Sequence, residues 1–113
     1  LRRLRLSIAA ERDLQTIFGA SEERFGSSVT DRYRRLVSAA LRDLRADAQR
    51  SGVRVFDGGA RIYHLRHSRR GLPRGSAVAR PRRLLAFRIV DGGIVILRVL
   101  HDAMDLPTHL ADI

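Results

Sequence analysis

The chain has no cysteine, no tryptophan, no lysine and no asparagine among its 113 residues, and a single methionine. Without cysteine there are no disulfides, thiolate zinc ligands or thiol nucleophiles, and nothing points to an oxidising compartment. Without lysine there is no Schiff-base former, no lysine general base and no ammonium point charge for a phosphate. Lysine and asparagine are both encoded by AT-rich codons, so a GC-rich genome accounts for their absence; the chemical consequence is the same. Long apolar runs are missing too. The longest aliphatic stretch, Ile94–Leu97, is far short of the ~20 residues that a membrane-spanning helix needs. Leu1–Ile8 is arginine-rich, with no apolar stretch of signal-peptide length behind it. No targeting segment is therefore expected, and the compartment is read as the cytoplasm.

What the chain has is arginine. All 22 basic residues are Arg against 12 acidic residues, a net charge of +10. Planar guanidiniums suit carboxylates and phosphates, so an anionic partner is expected, either nucleic acid or an acidic protein. The length fits one domain over 1–113, large enough to bury a core without metals or cross-links.

The hydropathy pattern predicts the order strand, helix, helix, strand, strand, strand. Leu4, Leu6 and Ile8 alternate with Arg3, Arg5 and Ser7 at the period of a half-buried strand. Ser7 then precedes a helix with Leu14, Ile17, Phe18 and Phe25 on one face, ending near Gly26. Ser27 or Ser28 is expected to cap a second helix, whose apolar face runs from Val29 through Tyr33, Leu36, Leu44 and Ala48. So short a connection makes the two helices an antiparallel hairpin. Val53–Phe56 is a short apolar patch closed by Asp57-Gly58-Gly59. Arg61–His67, Leu84–Val90 and Ile94–Leu100 read as strands, the last two joined by an Asp91-Gly92-Gly93 hairpin. Ser68–Pro81, rich in Arg, Gly and Pro, reads as an exposed loop. This is an α+β arrangement: an N-terminal strand, a helical hairpin and a three-stranded antiparallel meander with a short C-terminal tail. Both helices lie on one face, and the other face is expected to stay open.

Few residues carry chemistry. His64 and His67, three apart on an expected strand, fall on opposite faces and do not share a metal. His101 and His109, near Asp102 and Asp105, read as tail packing, so no metal and no cofactor is expected. Serine-nucleophile and phosphate-loop motifs are absent, and the three Glu residues all lie in the first helix, which removes paired-carboxylate hydrolysis. Arg61, Arg66, Arg69, Arg70, Arg74, Arg80, Arg82, Arg83, Arg88 and Arg98 form an arginine field suited to phosphates, though aromatic stacking platforms are scarce. His101, with Arg98 and Arg83, is the one combination that could serve RNA cleavage, and no second acid–base group accompanies it.

The segment Ile96–Leu106 (Ile-Leu-Arg-Val-Leu-His-Asp-Ala-Met-Asp-Leu), followed by His109-Leu110, resembles the C-terminal signature of ParE toxins of the RelE/ParE toxin–antitoxin superfamily. Leu6-Ser7 with Ala9–Leu14, Arg32-Tyr33, and Tyr63–Arg70 resemble the family's first strand, second helix and following strand, so the likeness spans essentially the whole chain. The resemblance implies a RelE-like fold and a cognate ParD-like antitoxin, with DNA contacted only indirectly through the antitoxin. It further implies binding and inhibition of DNA gyrase without chemistry by the toxin itself. Arg98, His101, Met104 and Asp105 carry the motif and are the target-binding candidates, with Arg98 and Asp105 also able to pair and fix the tail. Met104 and Leu106 could equally pack that tail onto the sheet. Antitoxin binding is expected in the grooves beside the helical hairpin and the last strand. RelE-type ribonucleases use a basic cluster often including lysine, and a C-terminal Tyr or His. This chain has no lysine and no tyrosine after Tyr63, while His101 stands in a comparable place. The alternatives are therefore a ribosome-associated mRNA-cleaving endoribonuclease using His101, Arg98 and Arg83, or an inactive homologue working only in the antitoxin complex. The loop Ser68–Pro81 is longer than the family's usual connection and is either a target-binding element or idle.

Overall fold

The computed structural model describes residues 2–73, 78 and 80–110. The alternating N-terminus forms β1 (Leu4–Leu6), and Ser7 turns the chain into α1 (Ile8–Phe25). Ser7 has extended backbone, and its hydroxyl accepts from the Ala10 amide, filling one of the orphan donors at the helix start. Leu14, Ile17 and Phe18 pack into the core as expected. Phe25 does not: as the last residue of α1 it is 60% exposed at the hairpin tip, with the Arg24 guanidinium 5.4 Å from its ring centre.

Gly26 alone joins α1 to α2 (Ser27–Ala46). Neither serine is the cap. Ser27 is already helical, and its hydroxyl donates to Glu22 Oε1. The reason is geometric: the chain reverses within one residue, at φ 84° and ψ 178°, a region open essentially to glycine alone. The Gly26 amide closes α1 on Glu22 O and its carbonyl accepts the Thr30 amide, so the one residue serves both helices. α2 buries Leu36, Val37, Ala40 and Leu44 along the face read from the sequence, and Ala48 follows beyond its end.

The sheet has five strands in the order β1-β5-β4-β3-β2, with β2 (Arg54–Val55), β3 (Arg61–His64), β4 (Arg83–Val90) and β5 (Gly93–His101). The apolar patch after Gly52 thus contributes a short edge strand. The sheet is mixed, because β1 runs parallel to β5 while the remaining neighbours are antiparallel. β1 is separated from β5 by the whole helical excursion and need not return as a hairpin partner. Asp91 and Gly92, at φ 51° and 76°, make the two-residue turn expected between β4 and β5.

β3 is shorter than the alternation suggested. At His64 the chain winds into a 3-10 helix, Leu65–Gly71, which buries Leu65 and Ser68 three residues apart; His67 is therefore not a strand residue. The segment read as an exposed loop begins inside this 3-10 helix, and Pro81 at its other end is buried. Its residues 74–77 and 79 lie outside those described.

On the helix side of the sheet, Tyr63, Leu85, Phe87, Ile94 and Ile96 meet Leu36 and Leu44. On the other side Ile62, Leu84, Ala86 and Leu100 are covered by Leu110 of a short helix, α3 (Leu106–Leu110). The face expected to be open is thus partly closed by the tail. Among the described residues no helix is long and apolar enough to cross a membrane.

Gly26→Ala is expected to lower stability by about 1–3 kcal/mol, because nothing lies within 4 Å of the added methyl and only the backbone conformation resists it. Urea denaturation followed by circular dichroism checks this.

Candidate functional site

The family-like segment begins in β5, where the ladder with β4 slips. Ala86 pairs with Arg98 and Phe87 with Ile96, so Leu97 is an extra residue, a β-bulge. On the other edge β1 pairs only with Ile94–Ile96, so beyond that point β5 has no strand partner on this side. The start of α1 supplies the missing partners. The Ser7 amide donates to Ile96 O (2.9 Å) and the Ser7 hydroxyl to Leu97 O (2.8 Å). Asp13 Oδ2 accepts from the Val99 amide (2.8 Å) and from Arg98 Nε (2.8 Å), and Oδ1 accepts from Arg98 Nη2 (3.1 Å). The paired carboxylate holds the Arg98 guanidinium above its ordinary pKa. Arg98 is therefore engaged by α1 and not by Asp105, whose carboxylate accepts from the Thr108 hydroxyl.

At the end of β5 the two faces diverge. Arg83 and His101 are cross-strand neighbours on the helix side, the side of Leu85 and Val99. Next to Arg83 the Tyr33 hydroxyl of α2 is buried without a hydrogen-bond partner among the described residues, and burial pushes its pKa up to about 12 against the lowering influence of Arg83. On the α3 side, Asp102 Oδ2 takes His64 Nε2 at 3.0 Å and Oδ1 takes Arg82 Nε at 3.0 Å. Two short contacts assign the histidine tautomers. His64 Nδ1 accepts from the Arg66 amide, so its Nε2 carries the proton given to Asp102. His101 Nδ1 accepts from the Ala103 amide, so the 3.6 Å approach to Asp102 Oδ1 is not a hydrogen bond, and Nε2 holds the proton. The Met104 amide closes a tight turn onto His101 O, leaving Met104 37% exposed.

The structure thus gathers Arg83 and His101 at one end of the sheet, places Met104 and Asp105 on the turn that follows, and sets Arg98 behind them on α1. Of the wider arginine field, Arg82 is tied to Asp102, Arg88 donates to Gly58 O, and Arg66, Arg69 and Arg70 line a separate cleft. Local sequence assigns no role at this site to the Ser7 hydroxyl's second bond, to Asp13, to Tyr33 or to His64's bond with Asp102. Asp13 carried the one available hint: an acid in the second turn of α1, next to Leu14 on the inward face. Among the described residues no group of three or more His, Asp or Glu side chains is placed to hold a metal.

This α+β chain has a last strand that is bulged at Leu97, pinned by α1 and extended by a short turn and helix. It matches a chain of the chromosomal ParDE toxin–antitoxin system from P. aeruginosa, with a TM-score of 0.67 over 88% of this chain and 95% of that one, at 18% identity. No curated protein matches it. The profile of the ParE toxin of the type II toxin–antitoxin system parDE covers residues 4–106. The chain belongs to the ParE toxin family.

The bond to His64, followed by Arg82, holds the Asp102 carboxyl below its ordinary pKa. The folded state therefore takes up this proton less readily than the unfolded chain. Its contribution to stability is complete above the ordinary carboxylate range and is lost as pH falls below about 4. Asp102→Asn is expected to be less stable than the parent at pH 6–7, with the difference closing on acidification below about 4. Urea midpoints across that range check it.

Proposed function

We propose that this ParE-family chain is a single-domain cytoplasmic toxin that binds and inhibits DNA gyrase through the turn after β5, and that a cognate ParD-like antitoxin neutralises it. The family match across residues 4–106 carries the reading, since it reaches from β1 through the turn to the first residue of α3. The turn supports it physically. Met104 and Asp105 are exposed, His101 is half-buried beside them, and Arg98 serves them as a positioning residue through its bond to Asp13. The arrangement favours binding over catalysis. Burial shields the Tyr33 hydroxyl beside Arg83 from solvent, so it is not open to an RNA substrate as an acid–base partner for His101.

Two neighbouring surfaces suit an antitoxin. A groove of about 600 Å³ on α1 is lined by the apolar Leu6, Leu14 and Phe18 together with Glu11, Gln15, Glu22 and Arg34, whose guanidinium lies 4.5 Å from the Phe18 ring centre, and suits a partner helix with one apolar side. Beside it β1 is an edge strand with Arg3 and Arg5 exposed, which suits an added acidic strand. The net charge of +10 favours such a partner, and contact with DNA would run through the antitoxin.

The test is plasmid supercoiling by purified gyrase in the presence of the antitoxin-free chain. Inhibition with accumulation of linear plasmid is expected. Met104→Ala, which removes an exposed side chain, should raise the half-inhibitory concentration about tenfold or more at unchanged stability. Folded protein in excess over gyrase without effect would refute the gyrase reading, leaving mRNA cleavage or an inactive homologue. Full potency in Met104→Ala would remove the turn as the contact.

A further inference from the structure

A second basic site lies away from the turn, between the C-terminal part of α2 and the 3-10 helix Leu65–Gly71. A cleft of about 870 Å³ is lined there by Arg50, Arg66, Arg69 and Arg70, with His67 beside them and Asp43 as the sole carboxylate among its lining residues. Four guanidiniums against one carboxylate leave a surplus of positive charge in a concave space, where field lines concentrate.

The cleft is held in shape from below. The buried Tyr63 hydroxyl donates to Ser68 Oγ (2.8 Å), and Ser68 Oγ donates to Asp43 Oδ2 (2.7 Å). The same Asp43 oxygen takes Arg50 Nη1 at 3.1 Å, while the Arg50 guanidinium lies 5.7 Å from the centre of the Tyr63 ring. Arg50 is therefore oriented before any ligand arrives. Gly52 allows the adjoining loop to close on His67: a Cβ there would stand 2.7 Å from the imidazole ring, and its φ of 100° is one that glycine tolerates.

The orphan donors point to a ligand. Arg50 Nε and Arg69 Nε are both shielded from solvent and have no hydrogen-bond partner among the described residues. A buried guanidinium N–H without an acceptor is costly, and both of these belong to arginines that line this one cationic cleft. Phosphate, with three or more acceptor oxygens, matches several guanidinium forks at once. We propose that this cleft binds a phosphoryl group, carried either by a nucleotide or by the backbone of a polynucleotide. The site is independent of the gyrase and antitoxin reading, since it uses none of the residues of the turn, of the α1 groove or of the β1 edge.

His67 provides a local reporter. Burial and then the charges of Arg66, His64 and Arg50 hold its pKa below the ordinary histidine value, and an anion in the cleft reverses part of that electrostatic effect. The antitoxin-free full chain is titrated with inorganic phosphate, with a nucleoside monophosphate and with a short single-stranded oligonucleotide. The His67 imidazole resonance is followed by NMR and oligonucleotide binding by fluorescence anisotropy. Arg69→Gln/Arg70→Gln is compared with Arg3→Gln/Arg5→Gln, which removes the same charge from exposed positions on and beside β1. Phosphate-dependent movement of His67 is expected, with binding weakened about tenfold or more in the cleft variant and less than about twofold in the β1 variant. Tighter, salt-sensitive binding of the oligonucleotide assigns the site to a polynucleotide backbone; equal binding of the monophosphate assigns it to a nucleotide. The proposal is overturned if no phosphate compound moves His67, or if both double variants weaken binding equally, which would be an effect of net charge alone.

Discussion

The structure depends on how two side chains at the start of α1 complete a strand that has run out of neighbours. β1 pairs with β5 only as far as Ile96, and the bulge at Leu97 breaks the ladder on the other side. Unpaired backbone groups inside a protein cost about as much as lost hydrogen bonds, so this stretch must be satisfied or exposed. Ser7 and Asp13 satisfy it, with the Ile96 and Leu97 carbonyls, the Val99 amide and the Arg98 guanidinium all engaged from the N-cap and second turn of one helix. A single local feature thereby fixes the helical hairpin on the sheet and sets the direction in which β5 leaves it.

What leaves the sheet is held from both faces. On the α3 side Asp102 is tied to His64 and Arg82, and Leu110 seals Ile62, Leu84 and Leu100 beneath it. On the helix side His101 lies across from Arg83, with its Nδ1 capping the turn through the Ala103 amide. The exposed residues of the turn, Met104 and Asp105, are thus presented on a short, braced loop. A loop ordered in advance loses less entropy on binding, which is what the proposed docking role asks of this turn.

Much of this was legible in the sequence. The helix starting after Ser7, the apolar face of α2 and the β4–β5 hairpin each follow from periodicity and turn chemistry acting over a few residues. Local preference gives way where distant partners override it. Ser27 has the chemistry of a cap, yet one-residue reversal at Gly26 leaves it inside the helix. Arg61–His67 alternates like a strand, yet burial of Leu65 and Ser68 under α2 is better served by 3-10 winding. The candidate site was partly readable. His101, Met104 and Asp105 stand out through their family-like segment, while the partner of Arg98 lies 85 residues away and no spacing rule identifies Asp13. The parallel placement of β1 is equally nonlocal.

Arginine content describes one bulk property but several separate roles: Arg98 positions β5, Arg82 secures the tail, and Arg50 organises the cleft under the 3-10 helix. In the proposed function gyrase is contacted through the braced turn. Amide hydrogen exchange of the full chain, with and without gyrase, tests this most directly. Slowed exchange at residues 101–105 on adding gyrase, with the outer face of α1 unchanged, is the expected result. Protection centred on α1 or on the arginine cleft, with none at 101–105, would contradict it.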